Sequence, residues 1–337
     1  MKKLRTNSTF LIAELGLSHE GSLINALSMI ESLKKAGVDA VKFQMHIPEF
    51  ESSSFEKFRL NIFPQDKTRY EYWQRTAFSF DEWTILVKKA KELGIMIGCT
   101  PFSIEALKII KKINFDFIKI GSAEAVNFIT LVEEASKISK PLIISSGMSN
   151  YKDLKLSAKI LKARDEFGAI LHCVSQYPTP LNKVNFQRIS NIKGMGVNSG
   201  VSDHTGDISS AMYLIAHGIE ILEVHTVFDK RVIGPDTSSS LTLDELHSLT
   251  SFRDKVEIYE TQQLKEDKKH IDNMKAIFGR SYFSKREIKK GTKITNEDLI
   301  LLKPKKGIPE SNKKLIIGKK ANKNISSGSL IKLKDLS

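Results

Sequence analysis

Between residues 10 and 227 the chain alternates short apolar runs with longer stretches whose apolar positions recur every three or four residues. Eight runs stand out: 10–16 (FLIAELG), 39–45 (DAVKFQM), 95–100 (IMIGCT), 117–122 (FIKIGS), 141–147 (PLIISSG), 169–175 (AILHCVS), 196–202 (GVNSGVS) and 220–227 (EILEVHTV). They are nearly continuous in apolar residues, as parallel strands buried on both faces are. The stretches between them, such as Leu23–Ala36, Asp81–Leu93 and Ile129–Ile138, have the spacing of amphipathic helices. Eight strand–helix units in roughly 250 residues predict an α/β fold of the TIM (β/α)8 barrel type. The alternative is a doubly wound sheet. It would carry a glycine-rich phosphate loop after its first strand, and Gly16-Leu-Ser-His-Glu-Gly21 does not fit that spacing.

Two segments break the rhythm. Residues 46–79 separate the second strand from its helix and are rich in aromatic and charged side chains. A connection of that length at a barrel mouth usually shapes a site. Residues 255–280 are polar and helix-prone and end in Phe278-Gly279-Arg280, which reads as the link to a second domain. Beyond it, Ile288-Lys-Lys-Gly291-Thr-Lys-Ile294-Thr-Asn-Glu-Asp298-Leu299 recurs 37 residues later as Ile325-Ser-Ser-Gly328-Ser-Leu-Ile331-Lys-Leu-Lys-Asp335-Leu336. Two copies of I-x-x-G-x-x-I-x-x-x-D-L predict a small pseudo-symmetric β-rich domain. The expected division is a barrel over 1–275 and a small domain over 281–337. A domain of that size has little core of its own and is expected to lean on a neighbour.

Composition narrows the class. With 337 residues, 41% hydrophobic and 27% charged, the chain is an ordinary globular protein. The apolar run from Phe10 stops at Glu14, too short for a signal-peptide core or a membrane span. Cys99 and Cys173 lie inside apolar runs, which suits free thiols in a reducing cytoplasm. The net charge of +13 is uneven: residues 281–337 hold 15 Lys/Arg against 5 Asp/Glu. Such a patch could track nucleic acid, steer small anions, or be a solvated lysine-rich surface. Its only aromatics are Tyr282 and Phe283, so stacking platforms for bases are missing and no nucleic-acid partner is expected.

In a TIM barrel the working groups sit at the C-terminal ends of the strands. Polar residues there are Glu14; Lys42 and Gln44; Lys119, Ser122 and Glu124; Ser145 and Ser146; Ser175 and Tyr177; Ser202, Asp203 and His204; and Glu223 and His225. Every strand but the third contributes. Strand-end polar residues also cap turns, so a single one carries little weight. Lysines inside apolar strands carry more, because a buried ammonium without a partner is costly. Lys42 in V-K-F-Q and Lys119 in I-K-I-G-S should each face an anion or a carboxylate, and with the serines they suit a phosphate plus a carboxylate. His204 and His225 end adjacent strands. They could be general bases, plain structure, or ligands of an open metal site; no Cys or third His stands near to close a structural zinc site.

The segments I-A-E-L-G-L-S-H-E-G-S, A-G-V-D-A-V-K-F-Q, T-P-F-S-I-E-A, F-I-K-I-G-S-A-E, I-I-S-S-G-M, L-H-C-V-S-Q-Y-P-T-P, V-S-D-H-T and E-V-H-T-V-F-D-K…G-P-D run in order over about residues 10–236. In them the chain resembles the bacterial sialic acid synthase family, the N-acetylneuraminate, legionaminate and pseudaminate synthases. The tail resembles that family's antifreeze-like (SAF) domain. The resemblance implies a transferase joining phosphoenolpyruvate to the aldehyde of an N-acylated amino sugar, with a divalent metal, Mn²⁺ first and Mg²⁺ or Co²⁺ next. It also implies a domain-swapped homodimer in which one subunit's small domain covers the other's barrel. By residue, it implies that Lys42, Gln44, Lys119, Ser122, Ser145 and Ser202 hold phosphoenolpyruvate and that His204 and His225 hold the metal. Glu124, Tyr177 and Asp236 would contact the sugar, and Glu14 would lie beside the reacting centre. Glu14, Lys42, Lys119 and Glu124 form the expected catalytic set.

Two departures concern the sugar. Ser175 stands where the family has an asparagine. The family's R-P-G-x-G in the small domain reads Lys303-Pro304-Lys305-Lys306-Gly307 here, and Lys303 cannot reproduce an arginine's forked contact. A synthase of eight-carbon keto-sugars, the nearest alternative, would lack the C-terminal repeat. A nucleic-acid-binding protein with an inactive barrel is the alternative from another class.

Overall fold

The computed structural model describes residues 8–60, 62–261 and 267–337. The first eight strands are β1 (Phe10–Gly16), β2 (Ala40–Met45), β3 (Met96–Pro101), β4 (Phe117–Ile120), β5 (Leu142–Ser145), β6 (Gly168–Cys173), β7 (Asn198–Asp203) and β8 (Ile221–Val227). Each pairs in parallel with the next, and β1 also pairs with β8, so the sheet closes into the expected barrel. A ninth short strand, β9 (Ser240–Thr242), adds to β8. Every predicted strand is present, within three residues at its ends.

Alternation within each strand sorts the core into two layers. Val41, Phe43 and Met45 face outward and pack with the helices, in a cluster that includes Met29, Leu33, Trp83 and Leu86. Phe10, Ile12, Ala40, Phe117, Ile143 and Leu171 form a separate cluster, consistent with the barrel interior. Gly98 makes room for it, since a side chain there would collide with the Phe117 ring. Two residues further along several strands this alternation reaches Glu14, Lys42, Lys119, Ser145, Cys173 and Glu223. Apolar side chains therefore plug one end of the barrel and polar ones fill the other.

The helices begin and end where local chemistry dictates. Leu23–Ala36 is capped by Ser22 and terminated by Gly37 in the left-handed region. Phe80–Leu93 opens with a Ser79–Glu82 capping box. The long connection is ordered by two short helices, Pro48–Glu51 and Arg69–Thr76, and by an apolar cluster of Leu17, Phe63, Tyr72 and Trp73.

The chain divides into two compact units, Met1–Gln262 and Gln263–Ser337. The helix Lys268–Phe278 thus groups with the C-terminal unit, whereas the sequence reading kept residues up to 275 with the barrel. Its contacts explain this: Ala276 accepts a backbone hydrogen bond from Lys305, and the Phe278 ring lies 5.2 Å from the Lys303 ammonium. The C-terminal unit has an antiparallel pair, β10 (Ser281–Ser284) and β11 (Leu299–Leu302). The repeat is visible in it. Ile288 and Ile325 exchange both backbone hydrogen bonds. Gly291 and Gly328 take positive φ, Ile294 and Ile331 are fully buried, and Asp298 and Asp335 accept from the backbone of Thr295 and Lys332. The unit has a closed core of nine buried apolar residues, more than its length led us to expect. Among the described residues no helix is long and apolar enough to cross a membrane.

Candidate active site

Strand register sets the site. Glu14 on β1 lies level with Lys42 on β2 and with His225 on β8. Ser202 on β7 is level with Glu223. Four charges therefore meet inside the barrel: Glu14, Lys42, Lys119 and Glu223, each at most 5% exposed. Lys119 Nζ donates to both oxygens of Glu223, at 2.8 and 2.9 Å. Lys42 pairs with Glu14, stands 4.0 Å from Glu223 and donates to Thr100 Oγ1 at 2.9 Å. Ser202 Oγ adds a hydrogen bond to Glu223 at 2.8 Å.

Burial and pairing pull these groups in opposite directions. Burial pushes the Glu223 carboxyl up, but the Lys119 and Lys42 ammonium groups outweigh it and hold the carboxyl well below its usual range. Burial opposes charging Lys42, yet Glu14 and Glu223 keep its ammonium above the ordinary value. At Lys119 burial prevails and pulls the ammonium down despite Glu223. Each lysine was expected to face an anion or a carboxylate, and each faces a carboxylate, Glu14 at Lys42 and Glu223 at Lys119. Glu223, which had stood only as a polar strand end, is the hub.

The same cavity, about 460 Å³, is lined by all twelve of the barrel residues singled out for a role in the sequence. Gln44 lies 3.2 Å from His46 Nε2. Ser122 Oγ contacts Cys173 Sγ at 2.9 Å and accepts from Gly147 N. Ser145 is buried on the wall, and Glu124 is buried enough to raise its carboxyl. Tyr177 stacks on His204, with ring centroids 4.2 Å apart. Ser175 is exposed, and Asp203 is used up in capping its own turn through Thr205. Lys303 lies in the C-terminal unit.

The two histidines suit a metal. Their ring centroids are 5.4 Å apart. His204 Nδ1 is hydrogen-bonded to the Val174 carbonyl at 3.0 Å, which fixes the tautomer and leaves the Nε2 lone pair facing Tyr177 and Ser202. Burial and the neighbouring His225 lower His204 to about 3, so its ring is neutral. Among the described residues no group of three His, Cys, Asp or Glu could hold an ion. The donor set fits a divalent ion that completes its shell with water or substrate oxygens, as open catalytic sites do. Gly16, beside His225 and Asp236, takes a positive φ of 51°, which favours glycine at this turn out of β1.

Sequence reasoning passed over three contributors. Thr100 closes the third apolar run, so that strand does offer a hydrogen-bonding group, and its hydroxyl was there to be read. His46 is sandwiched between Trp73 and Phe102, at 3.9 and 4.3 Å, and bonded to Glu51, which ties the long connection to Gln44. Arg59 lies over the Tyr177 ring at 4.4 Å and donates from Nη2 to Asp236 Oδ1 at 2.5 Å and to the Pro235 carbonyl at 2.6 Å. Nothing in the pattern around Arg59 marks it.

Residues 29–265 match the NeuB family, and residues 279–337 match the SAF domain. The chain belongs to the NeuB family. This NeuB-family chain is similar to the N,N'-diacetyllegionaminic acid synthase of Legionella pneumophila, at 31% identity over 96% of this chain and 93% of that protein. It is 30% identical to a pseudaminic acid synthase of Campylobacter jejuni, over 97% and 96% of the two chains. It is also 30% identical to the human N-acetylneuraminate-9-phosphate synthase, over 92% and 88%. Among solved structures it resembles the N-acetylneuraminic acid synthetase of Leptospira borgpetersenii in complex with citrate. There the TM-score is 0.68 at 28% identity, covering 80% of this chain and 92% of that one.

Proposed function

We propose that this NeuB-family enzyme, a phosphoenolpyruvate-dependent nonulosonic acid synthase, condenses phosphoenolpyruvate with the open-chain aldehyde of an N-acylated amino sugar. N-acetylmannosamine or a related sugar is the acceptor, and the products are a nine-carbon 2-keto acid and phosphate. The observation that carries this reading is the pair of buried lysines lining one cavity with two buried histidines.

C3 of phosphoenolpyruvate bonds to the aldehyde carbon, whose oxygen takes a proton and becomes a hydroxyl. Water then adds at C2, and phosphate leaves with the bridging oxygen. Lys42 and Lys119, with Gln44, Ser122, Ser145 and Ser202, hold the phosphate and carboxylate and fix C3 for attack. Glu14, paired with Lys42 and accepting from Gly16 N at 2.8 Å, is held to orient sugar or water at the reacting centre. Glu124, Tyr177 and Asp236 meet the sugar. A divalent ion held by His204 and His225 would polarise the aldehyde oxygen as a Lewis acid. The C-terminal unit, Lys303 included, would close the site of a second copy in a domain-swapped dimer and exclude water.

The relatives make three different products at 30–31% identity, which does not rank one sugar above another. A diacetamido-trideoxyhexose, giving legionaminate or pseudaminate, is therefore the second reading. The test is to incubate the protein with phosphoenolpyruvate, Mn²⁺ and each acceptor and to look for the nine-carbon keto acid by mass. Formation with one class assigns the sugar. Absence of product with every class rejects the proposal.

A further inference from the structure

We propose that Arg59 is a specificity-determining residue that contacts the acceptor sugar directly and reads its N-acyl group. This rests on the synthase reading above.

Arg59 comes from the long connection between β2 and its helix, and its side chain lines the same cavity as the two histidines. One guanidinium nitrogen, Nη2, is anchored to Asp236 and to the Pro235 carbonyl. Its guanidinium carbon lies over the Tyr177 ring, 4.4 Å from the centroid. Nε and Nη1 have no hydrogen-bond partner among the described residues. A guanidinium fixed on one side by a carboxylate and an aromatic face, with donors left over, is set up to receive an acceptor oxygen.

The surroundings narrow that acceptor. Phe58, Leu60, Tyr177 and Pro235 line the cavity beside Arg59 and give it an apolar border. A carbonyl oxygen carried next to a methyl group satisfies both features: the oxygen meets the free N–H donors and the methyl lies on the apolar rim. An N-acyl substituent has that chemistry, whereas a phosphate or a second carboxylate would leave the apolar border unused. Asp236, held in place by Arg59, remains available through Oδ2 for a sugar hydroxyl. The pair thus reads two adjacent substituents of one sugar, and both are supplied by the chain that carries the metal-site histidines.

The test is steady-state kinetics on Arg59→Ala and Arg59→Lys, with the sugar and phosphoenolpyruvate varied separately. The KM for the N-acylated sugar is expected to rise at least about tenfold in Arg59→Ala, with the KM for phosphoenolpyruvate within about twofold of wild type, since the phosphate site lies on the strands. The unmoved phosphoenolpyruvate KM also shows that the variant is folded. Lysine can keep the ion pair to Asp236 but lacks the extra planar donors. Arg59→Lys should therefore stay close to Arg59→Ala. Recovery of wild-type sugar KM in Arg59→Lys would mean that Arg59 only holds Asp236, and would overturn the proposal. So would an unchanged sugar KM in Arg59→Ala. Wild-type protein that consumes no phosphoenolpyruvate with any acceptor would overturn the synthase reading itself, and this one with it.

Discussion

The floor of the cavity and its rim are built differently. On the floor, Glu14, Lys42, Lys119 and Glu223 stand on four strands, are buried and pair with one another. On the rim, the Arg59 side chain is 38% exposed, is carried by a loop and pairs with an aspartate that also lies outside the strands. Charges on strands are locked by register, so they can present one fixed geometry to a small anion. Charges on loops can be exchanged without disturbing the barrel. In the proposed reaction this contrast puts the phosphoenolpyruvate chemistry on the floor and the choice of sugar on the rim.

The strongest way to break this contrast is at the histidine pair, where floor and rim meet. Chelation is expected to abolish turnover, and Mn²⁺, Co²⁺ or Mg²⁺ to restore it. His225→Ala should be inactive while keeping a wild-type melting profile. Full activity in chelator would remove the two-histidine site from the account.

A smaller but still large effect is expected on the floor. Lys119→Ala leaves Glu223 buried with only Lys42 at 4.0 Å and Ser202 for company. Removing one partner of a buried pair typically costs about 3–5 kcal/mol, so urea unfolding should show a loss of that order. Phosphoenolpyruvate affinity should fall far more than sugar affinity, by about 1.5–3 kcal/mol for each charge-assisted bond lost. Adding Glu223→Gln to Lys119→Ala should return much of the stability and none of the affinity. Recovery of both by the double variant would show that the floor is structural rather than a binding surface.

On the rim, the partly exposed Arg59–Asp236 pair should contribute about 1 kcal/mol or less to folding, well below the buried pair on the floor. A stability loss in Arg59→Ala as large as that in Lys119→Ala would erase the distinction.

The smallest effect is expected in the tail. Lys303→Ala should raise the sugar KM slightly more than the phosphoenolpyruvate KM. Co-refolding an inactive His225 variant with an inactive tail variant should recover partial activity if two copies share a site. No recovery, with a monomeric mass in solution, would reject the swapped arrangement.

How much of this was legible follows the same division. The eight strands could be read because continuous apolar runs have one physical explanation in an α/β chain, and the C-terminal repeat because Ile, Gly and Asp recur where the fold needs a buried side chain, a positive φ and a cap. Lys42 and Lys119 were conspicuous because an ammonium inside an apolar strand demands a partner. The partners were harder to see. Glu223 sits two residues before His225, on the same face of β8, but only barrel closure and the β7–β8 register bring it to Lys119 and Ser202. Thr100 was hidden by its ordinariness at a strand end. Arg59 and His46 were out of reach, since no periodicity links a loop residue to the ring or carboxylate it will meet some 120 to 180 positions away or across an aromatic sandwich.

The most direct test of the central claim follows the bridging oxygen of phosphoenolpyruvate. With that oxygen labelled as ¹⁸O, and with metal and the accepted N-acyl sugar present, the released phosphate is expected to carry the label, and release is expected to cease when the sugar is left out. Unlabelled phosphate, or release at the same rate without sugar, would contradict condensation at this site.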